Sequence, residues 1–331
     1  MVQDVTFPRD DADSLDEISM PPAGTVRRGS LRFSHPDLAD WSWPYTVVRG
    51  KQDGPRLALI SGVHPAEYPA IEANIRFTRS LDPSRLRGTV VSLPVIDIPA
   101  FLPRTPFVCP IDGKNPNRFF PGNADGTFTD VLDDAIFRAV IAPSSVLIDL
   151  HGGDMVEALE PFSIYGVSGN ADVDARSIAL CRAFGLPYLV ASRPQPGLAG
   201  TTVHAASAMG IPGLIAEAGS SGLLTEPETR MLVDGLENSL RHLGMLDGAV
   251  TQHAPVEIAQ FTWLRSPDEG MWYPSVRIGE TVSAGQNIGR IGNLYGDTLA
   301  EIAAPHDGVV LFITSAPAMP KDGLIISVGG A

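Results

Sequence analysis

The sequence predicts an α/β chain, a mixed sheet flanked by helices, followed by a small all-β domain. Two observations carry this. Between residues 56 and 244, apolar runs of strand length alternate with segments whose apolar residues recur at helical spacing. Near residue 250 that spacing stops, and short β-like pieces follow one another between Gly-containing turns. The 331 residues leave room for one large and one small domain. We place them at 1–250, with 1–25 as an acidic arm, and at 251–331.

The opening stretch through Pro22 holds six acids and one base, the reverse of a signal or transit peptide. RLALIS (56–61) reads as a strand and AEYPAIEANIRFTRSL (66–81) as the helix that follows it. TVVSLPVI (89–96) is a second buried strand. From Pro99 to Gly126 the chain is rich in Pro, Asn, Gly and Asp, and irregular loops of that length in compact domains tend to be functional. DVLDDAIFRAVI (130–141) is helical, and SVLIDL (145–150) is a strand that runs into His151, Gly152 and Gly153. A helix over 172–184, strands over 186–191 and 210–219, and a long helix over 226–244 complete the alternation. Six short β segments between 261 and 329 make up the terminal domain.

Composition narrows the function. Lys and Arg number 24 against 38 Asp and Glu, a net charge of −14, so a nucleic-acid or anionic-membrane surface, which needs clustered cations, is not expected. No apolar run approaches the ~18 residues that cross a bilayer. With two cysteines, Cys109 and Cys181, there is no disulfide framework and no CxxC metal site, and a reducing cytoplasm is the expected location. The hydrophobic fraction of 44% supports a full core.

Four places could carry chemistry. His64 follows the strand 56–61, and Glu67 comes three residues later, which in a first helical turn puts both on one face. Alone, such a pair is most simply a turn-capping His beside a solvated Glu. His151 also follows directly on an apolar strand, and its two glycines leave space near the ring. Strand carboxyl ends are where open α/β sheets place ligands. Two strand-end histidines and a carboxylate form the His₂Glu set of catalytic zinc, and Asp149 is placed to orient the His151 imidazole. In the long loop, Asn117 and Arg118 supply an amide beside a guanidinium, the pair that grips a carboxylate. Glu217 closes the apolar strand IPGLIA, and partial burial there would raise its pKa toward that of a general base. His204, in TTVHAASA, is ambiguous.

Strand-HxxE, the loop CPIDGKNPNRFFPG, strand-DLH and a later strand-xExG stand in the order of the succinylglutamate desuccinylase/aspartoacylase family, which the chain resembles over roughly residues 45–330. The loop is similar to that of the bacterial N-acetyl-diaminobutyrate deacetylase-like branch. The resemblance implies a zinc carboxypeptidase-like fold with a barrel-sandwich-like terminal β domain. It further implies one Zn²⁺ per chain, held by His64, Glu67 and His151, with Asn117 and Arg118 on the substrate carboxylate and Glu217 activating water. Pro65 stands where the family's HGxE motif has glycine, and Arg104 is the nearest arginine for a second substrate contact. The terminal segment is also similar to biotinyl and lipoyl domains, but it lacks their Met-Lys tip, so a carrier function is not expected.

The expectation is a zinc-dependent deacylase that hydrolyses the amide bond of a small-molecule N-acyl amino acid, with no nucleic-acid or membrane partner and homo-oligomerisation left open. A carboxypeptidase-like peptidase and a non-catalytic metal-containing binding protein are the alternatives.

Overall fold

A computed structural model describes residues 14–194 and 200–331. Residues 1–13 of the acidic arm lie outside the described residues. In chain order the elements of the larger part are β1 (Ser14–Leu15), β2 (Thr25–Arg32), β3 (Trp43–Arg49), β4 (Gln52–Ser61), α1 (Tyr68–Ser80), β5 (Arg87–Leu93), α2 (Ile98–Phe101), α3 (Phe128–Ile136), β6 (Val146–His151), β7 (Glu157–Leu159), β8 (Phe162–Gly166), α4 (Ala171–Phe184), β9 (Tyr188–Ser192), α5 (Thr202–Ala208), β10 (Gly213–Glu217), α6 (Glu226–His242) and β11 (Val256–Ile258).

Ten of these strands form one mixed sheet in the order β1-β2-β3-β5-β4-β6-β10-β8-β9-β11. Its centre, β5-β4-β6-β10, is parallel. Every residue of β6 is buried, as a strand covered on both faces requires. One core lies between the sheet and helices α1, α4 and α6, with Phe77, Phe184 and Leu236 among its members. The other lies under α3, α5 and the N-terminal strands, around Trp43, Phe120, Leu132 and Val203. Each large apolar side chain buried this way contributes roughly 1.5–3 kcal/mol relative to exposure.

The sequence reading leaves residues 14–49, 157–166 and 202–208 without elements, and the structure places β1 to β3, β7, β8 and α5 there. Strand β2 mixes Arg with apolar residues and lies near the sheet edge, so it carries no clean buried run.

The last part holds β12 (Gln260–Arg265), β13 (Gly270–Pro274), β14 (Thr281–Val282), β15 (Asn287–Gly292), β16 (Thr298–Ala303), β17 (Gly308–Thr314), β18 (Ala318–Met319) and β19 (Leu324–Gly330). They make two antiparallel sheets, β12-β19-β17-β14 and β16-β15-β13-β18, with Trp272, Ile291 and Ile326 packed together in the core they share. The two parts interlock. Strand β7 pairs with β17, and Leu159, Phe162, Val190, Ile258, Val309 and Leu311 form one apolar cluster.

Candidate active site

Parallel pairing brings the carboxyl ends of β4, β6 and β10 together. Ser61 of β4 is level with Leu150 of β6, and Glu217 of β10 lies directly opposite His151. The three chemistry-bearing segments therefore leave the sheet at one edge, where α/β sheets hold ligands.

His64 and Glu67 meet differently from the helical pairing expected. Helix α1 begins at Tyr68, so Glu67 is the residue before it, and a tight turn closed by the Glu67 N–H to His64 C=O bond brings the two side chains together. Pro65 sits inside that turn, with no helical N–H to lose.

Glu67 is the hub. One carboxylate oxygen is 2.8 Å from His64 Nδ1, and the other is 3.0 Å from His151 Nδ1 and accepts the Gly152 N–H at 3.1 Å. The opposite nitrogen of each ring is committed elsewhere. His151 Nε2 donates to Asp149 Oδ2 at 3.1 Å, and that oxygen also receives the Thr202 hydroxyl at 2.6 Å. His64 Nε2 donates to Asn115 Oδ1 at 3.1 Å, an oxygen identified as the acceptor because it also takes the Asn117 N–H. A neutral imidazole with its proton on Nε2 presents a lone pair at Nδ1. Both Nδ1 atoms thus face carboxylate oxygens, and a set of donor atoms from the three residues lies within 4.8 Å. A proton or a metal ion between them would satisfy these atoms.

The titration behaviour says the same. Burial alone would push the Glu67 carboxyl up, yet the His151 and His64 imidazoles overcome it and hold it down at about 2. Burial disfavours charge on His151, but Asp149 and Glu67 outweigh it and raise the ring well above the ordinary value. A proton there stands in for a metal cation. The donor set of two imidazoles and one carboxylate, with outer partners already in place, fits zinc.

The glycines after His151 serve a different end from the one expected. A Cβ on Gly152 would stand 2.4 Å from the Ala218 carbonyl oxygen, and one on Gly153 would stand 2.4 Å from that of Glu157. The space is filled by neighbouring backbone, and the glycines allow the β6 and β10 exits to pack.

Glu217 is partly buried, and its carboxylate has no hydrogen-bond partner among the described residues. Burial, opposed by the His151 charge and reinforced by Glu67, pushes its carboxyl up to about 8. Arg118 is drawn down by burial and up by the Glu217 and Glu157 charges, so it faces the same cleft. Its Nη1 donates to the Asn117 carbonyl at 2.7 Å. Asn117 is buried, and its Oδ1 accepts the Thr202 N–H at 3.2 Å, which ties the loop to α5. Asp112 organises the same loop by accepting from both Thr127 and Thr129.

Arg104 lies in the segment that follows α2. It is exposed, in a left-handed turn at φ 58°, on a rim loop whose Phe107 N–H donates to Asp154 Oδ2. His204 Nε2, from within α5, donates to the Ser192 carbonyl at 3.0 Å. Sequence reasoning missed two residues at the site: Asn115 and Thr202. Asn115 lies inside the NxNR motif and was open to notice, whereas nothing local marks Thr202.

Comparison with known proteins agrees with this geometry. A family model described as the succinylglutamate desuccinylase/aspartoacylase catalytic domain matches residues 53–243. The chain belongs to that family. It is therefore an amidohydrolase. An N-alpha-acetyl-L-2,4-diaminobutyric acid deacetylase of Halomonas elongata is 29% identical over 278 residues, covering 81% of this chain and 79% of the relative. The product-bound structure of the ectoine utilization protein EutE (DoeB) from Ruegeria pomeroyi superposes with a TM-score of 0.85 at 25% identity, covering 95% of this chain and 98% of the other. The same fold recurs in a succinylglutamate desuccinylase/aspartoacylase from Rhodobacter sphaeroides, with a TM-score of 0.80 at 24% identity over 92% of this chain and 94% of the other. The expected family and fold class hold, including the terminal antiparallel sheets.

Proposed function

We propose that the protein is a zinc-dependent deacylase that cleaves the amide bond of an N-acyl amino acid. The observation that carries this reading is Glu217. Its carboxylate lies opposite His151 across β10 and β6, unpaired, in the field of the metal-binding set. A zinc ion held by His64, Glu67 and His151 would polarise the acyl carbonyl and lower the pKa of a coordinated water from 15.7 to about 7.

The chain's own groups supply the rest. Glu217 accepts the proton of the attacking water and returns it to the leaving amine, a role typically worth about 10²–10⁴-fold. Arg118 holds the substrate carboxylate with its fork of donors. With Asn117 Oδ1 taken by Thr202, the amide NH₂ of Asn117 is the part available to the carboxylate or the developing oxyanion. The Halomonas elongata relative, named for deacetylating an N-acetyl diamino acid, supports the substrate class.

The test is a turnover screen of zinc-loaded protein on N-acyl amino acids beside short peptides. Release of free amino acid from the former, lost on chelation and restored by zinc, is expected. Peptide cleavage without turnover of any N-acyl amino acid overturns the reading.

A further inference from the structure

The bonds around the two histidines close into a ring. From His64 Nε2 it runs 3.1 Å to Asn115 Oδ1, which also takes the Asn117 N–H at 2.9 Å. Asn117 Oδ1 takes the Thr202 N–H at 3.2 Å, and the Thr202 hydroxyl donates to Asp149 Oδ2 at 2.6 Å. The same oxygen accepts His151 Nε2–H at 3.1 Å, and Glu67 bridges His151 Nδ1 back to His64 Nδ1 at 3.0 and 2.8 Å. Thr202 is the member of the ring that touches both the Asn117 loop and the acceptor behind His151. The chemistry above gives its hydroxyl no part.

Its place at the start of α5 makes both bonds available. Thr201 precedes the helix and its side chain accepts the His204 N–H, so the Thr202 N–H is among the first donors, which have no carbonyl partner inside a helix. That donor goes to Asn117 and decides which end of its amide is left for a ligand. The approach is close: Phe120 N–H donates to the Gly200 carbonyl at 3.0 Å, and a Cβ on Gly200 would stand 2.0 Å from the Arg118 carbonyl oxygen. The Thr202 hydroxyl goes to a carboxyl group with few other partners. Asp149 is fully buried and its Oδ1 has no hydrogen-bond partner among the described residues, so the hydroxyl and the His151 ring are what hold it. With the hydroxyl gone, a buried carboxyl group is left to turn toward other donors, and the ring it orients turns with it.

We infer that Thr202 is a positioning residue that couples the two halves of the site. Its hydroxyl orients Asp149 and, through it, the His151 imidazole for the metal, while its N–H holds Asn117 Oδ1 and leaves the Asn117 NH₂ to the substrate. The inference rests on the zinc-deacylase reading for the metal and the substrate, and on these hydrogen bonds alone for Thr202.

The experiment compares wild type with three variants. Thr202→Val keeps the shape and loses the hydroxyl, and Thr202→Ser keeps the hydroxyl. Thr202→Pro loses both hydroxyl and N–H, at a first helical position that suits proline. Zinc affinity, measured by dye competition without substrate, should fall about 10-fold in Thr202→Val and Thr202→Pro and stay within about 3-fold in Thr202→Ser. In zinc-saturated protein, KM for N-acyl amino acids should stay near wild type in Thr202→Val and rise about 10-fold in Thr202→Pro. A lower melting temperature in Thr202→Val with unchanged zinc affinity overturns the inference, because the hydroxyl would then serve the fold alone. So does weak zinc binding in Thr202→Ser, which would assign the effect to the methyl group, and so does an equal KM in Thr202→Val and Thr202→Pro. The proton spectrum of the metal-free protein needs neither zinc nor turnover: the His151 Nε2–H signal, sharp in wild type and Thr202→Ser, should broaden in Thr202→Val, and an unchanged signal there counts against the inference. A wild type that binds zinc without deacylating sinks the deacylase reading and leaves the zinc and proton measurements to decide this one. Deacylation by wild type, with unchanged zinc affinity in Thr202→Val, does the reverse.

Discussion

His64 Nε2 lies 3.1 Å from Asn115 Oδ1, and that oxygen is fixed as an acceptor by the Asn117 N–H at 2.9 Å. The loop that carries Arg118 therefore also sets the tautomer of His64, the histidine proposed to bind zinc. Asn115→Leu removes the acceptor and should weaken zinc binding by about 10- to 100-fold. His64→Ala with His151→Ala should abolish stoichiometric zinc altogether. Metal analysis and competition with a chelating dye measure both, and unchanged zinc affinity in the Leu variant would show that the bond does not orient the ring.

Glu217→Gln keeps size and hydrogen bonding but cannot take a proton. We expect kcat to fall by at least about 10²-fold, with zinc content, melting temperature and KM near wild type. Lost zinc would make Glu217 a ligand instead, and near-normal turnover in the folded, zinc-loaded variant would refute its role as base.

Arg118→Ala should cost about 2–5 kcal/mol of transition-state binding on substrates with a free carboxylate, and clearly less on the corresponding amides. Steady-state kinetics on matched acid and amide pairs decides it. Equal losses would mean that Arg118, through its bond to the Asn117 carbonyl, only shapes the loop.

Leu311 is fully buried in the cluster that joins β17 to β7, β8, β9 and β11. Leu311→Ala should destabilise the whole protein by about 2–5 kcal/mol, and calorimetry should show one unfolding transition for both proteins. Two separated transitions would mean that the terminal sheets melt on their own.

Burial pushes the Asp97 carboxyl up to about 7, from an ordinary value near ~3.9. Between those values the folded protein keeps a proton that the unfolded chain has released, so this group's contribution to stability falls as pH rises through the window. Asp97→Asn keeps an acceptor for the Ala100 N–H and should flatten the dependence of melting temperature on pH from about 4 to 7. The variant should be the more stable protein above pH ~7. A parallel curve for the two proteins would place the titration elsewhere.

Much of this was legible in the chain. Apolar runs that end in His64, His151 and Glu217 mark strands because a strand buried on both faces must be apolar along its length, so a polar residue at its end stands out. Helices α1, α4 and α6 announce themselves by their spacing for the same reason of burial. The sequence thus determined the central strands and long helices, the family and the identity of most of the chemical groups, but not β1 to β3, β7, β8 or α5. Tertiary structure alone decided how they meet. Strand order set Glu217 against His151, since β10 and β6 are 66 residues apart at that pair and local pattern says nothing about which strands will be neighbours. The hydroxyl of Thr202 carries no periodic signal, because it lies at the very start of a short element. It reaches Asp149 only when α5 packs behind β6. Burial patterns are written residue by residue, whereas a site is a set of distances between residues far apart in sequence, and those distances exist only once the core has closed.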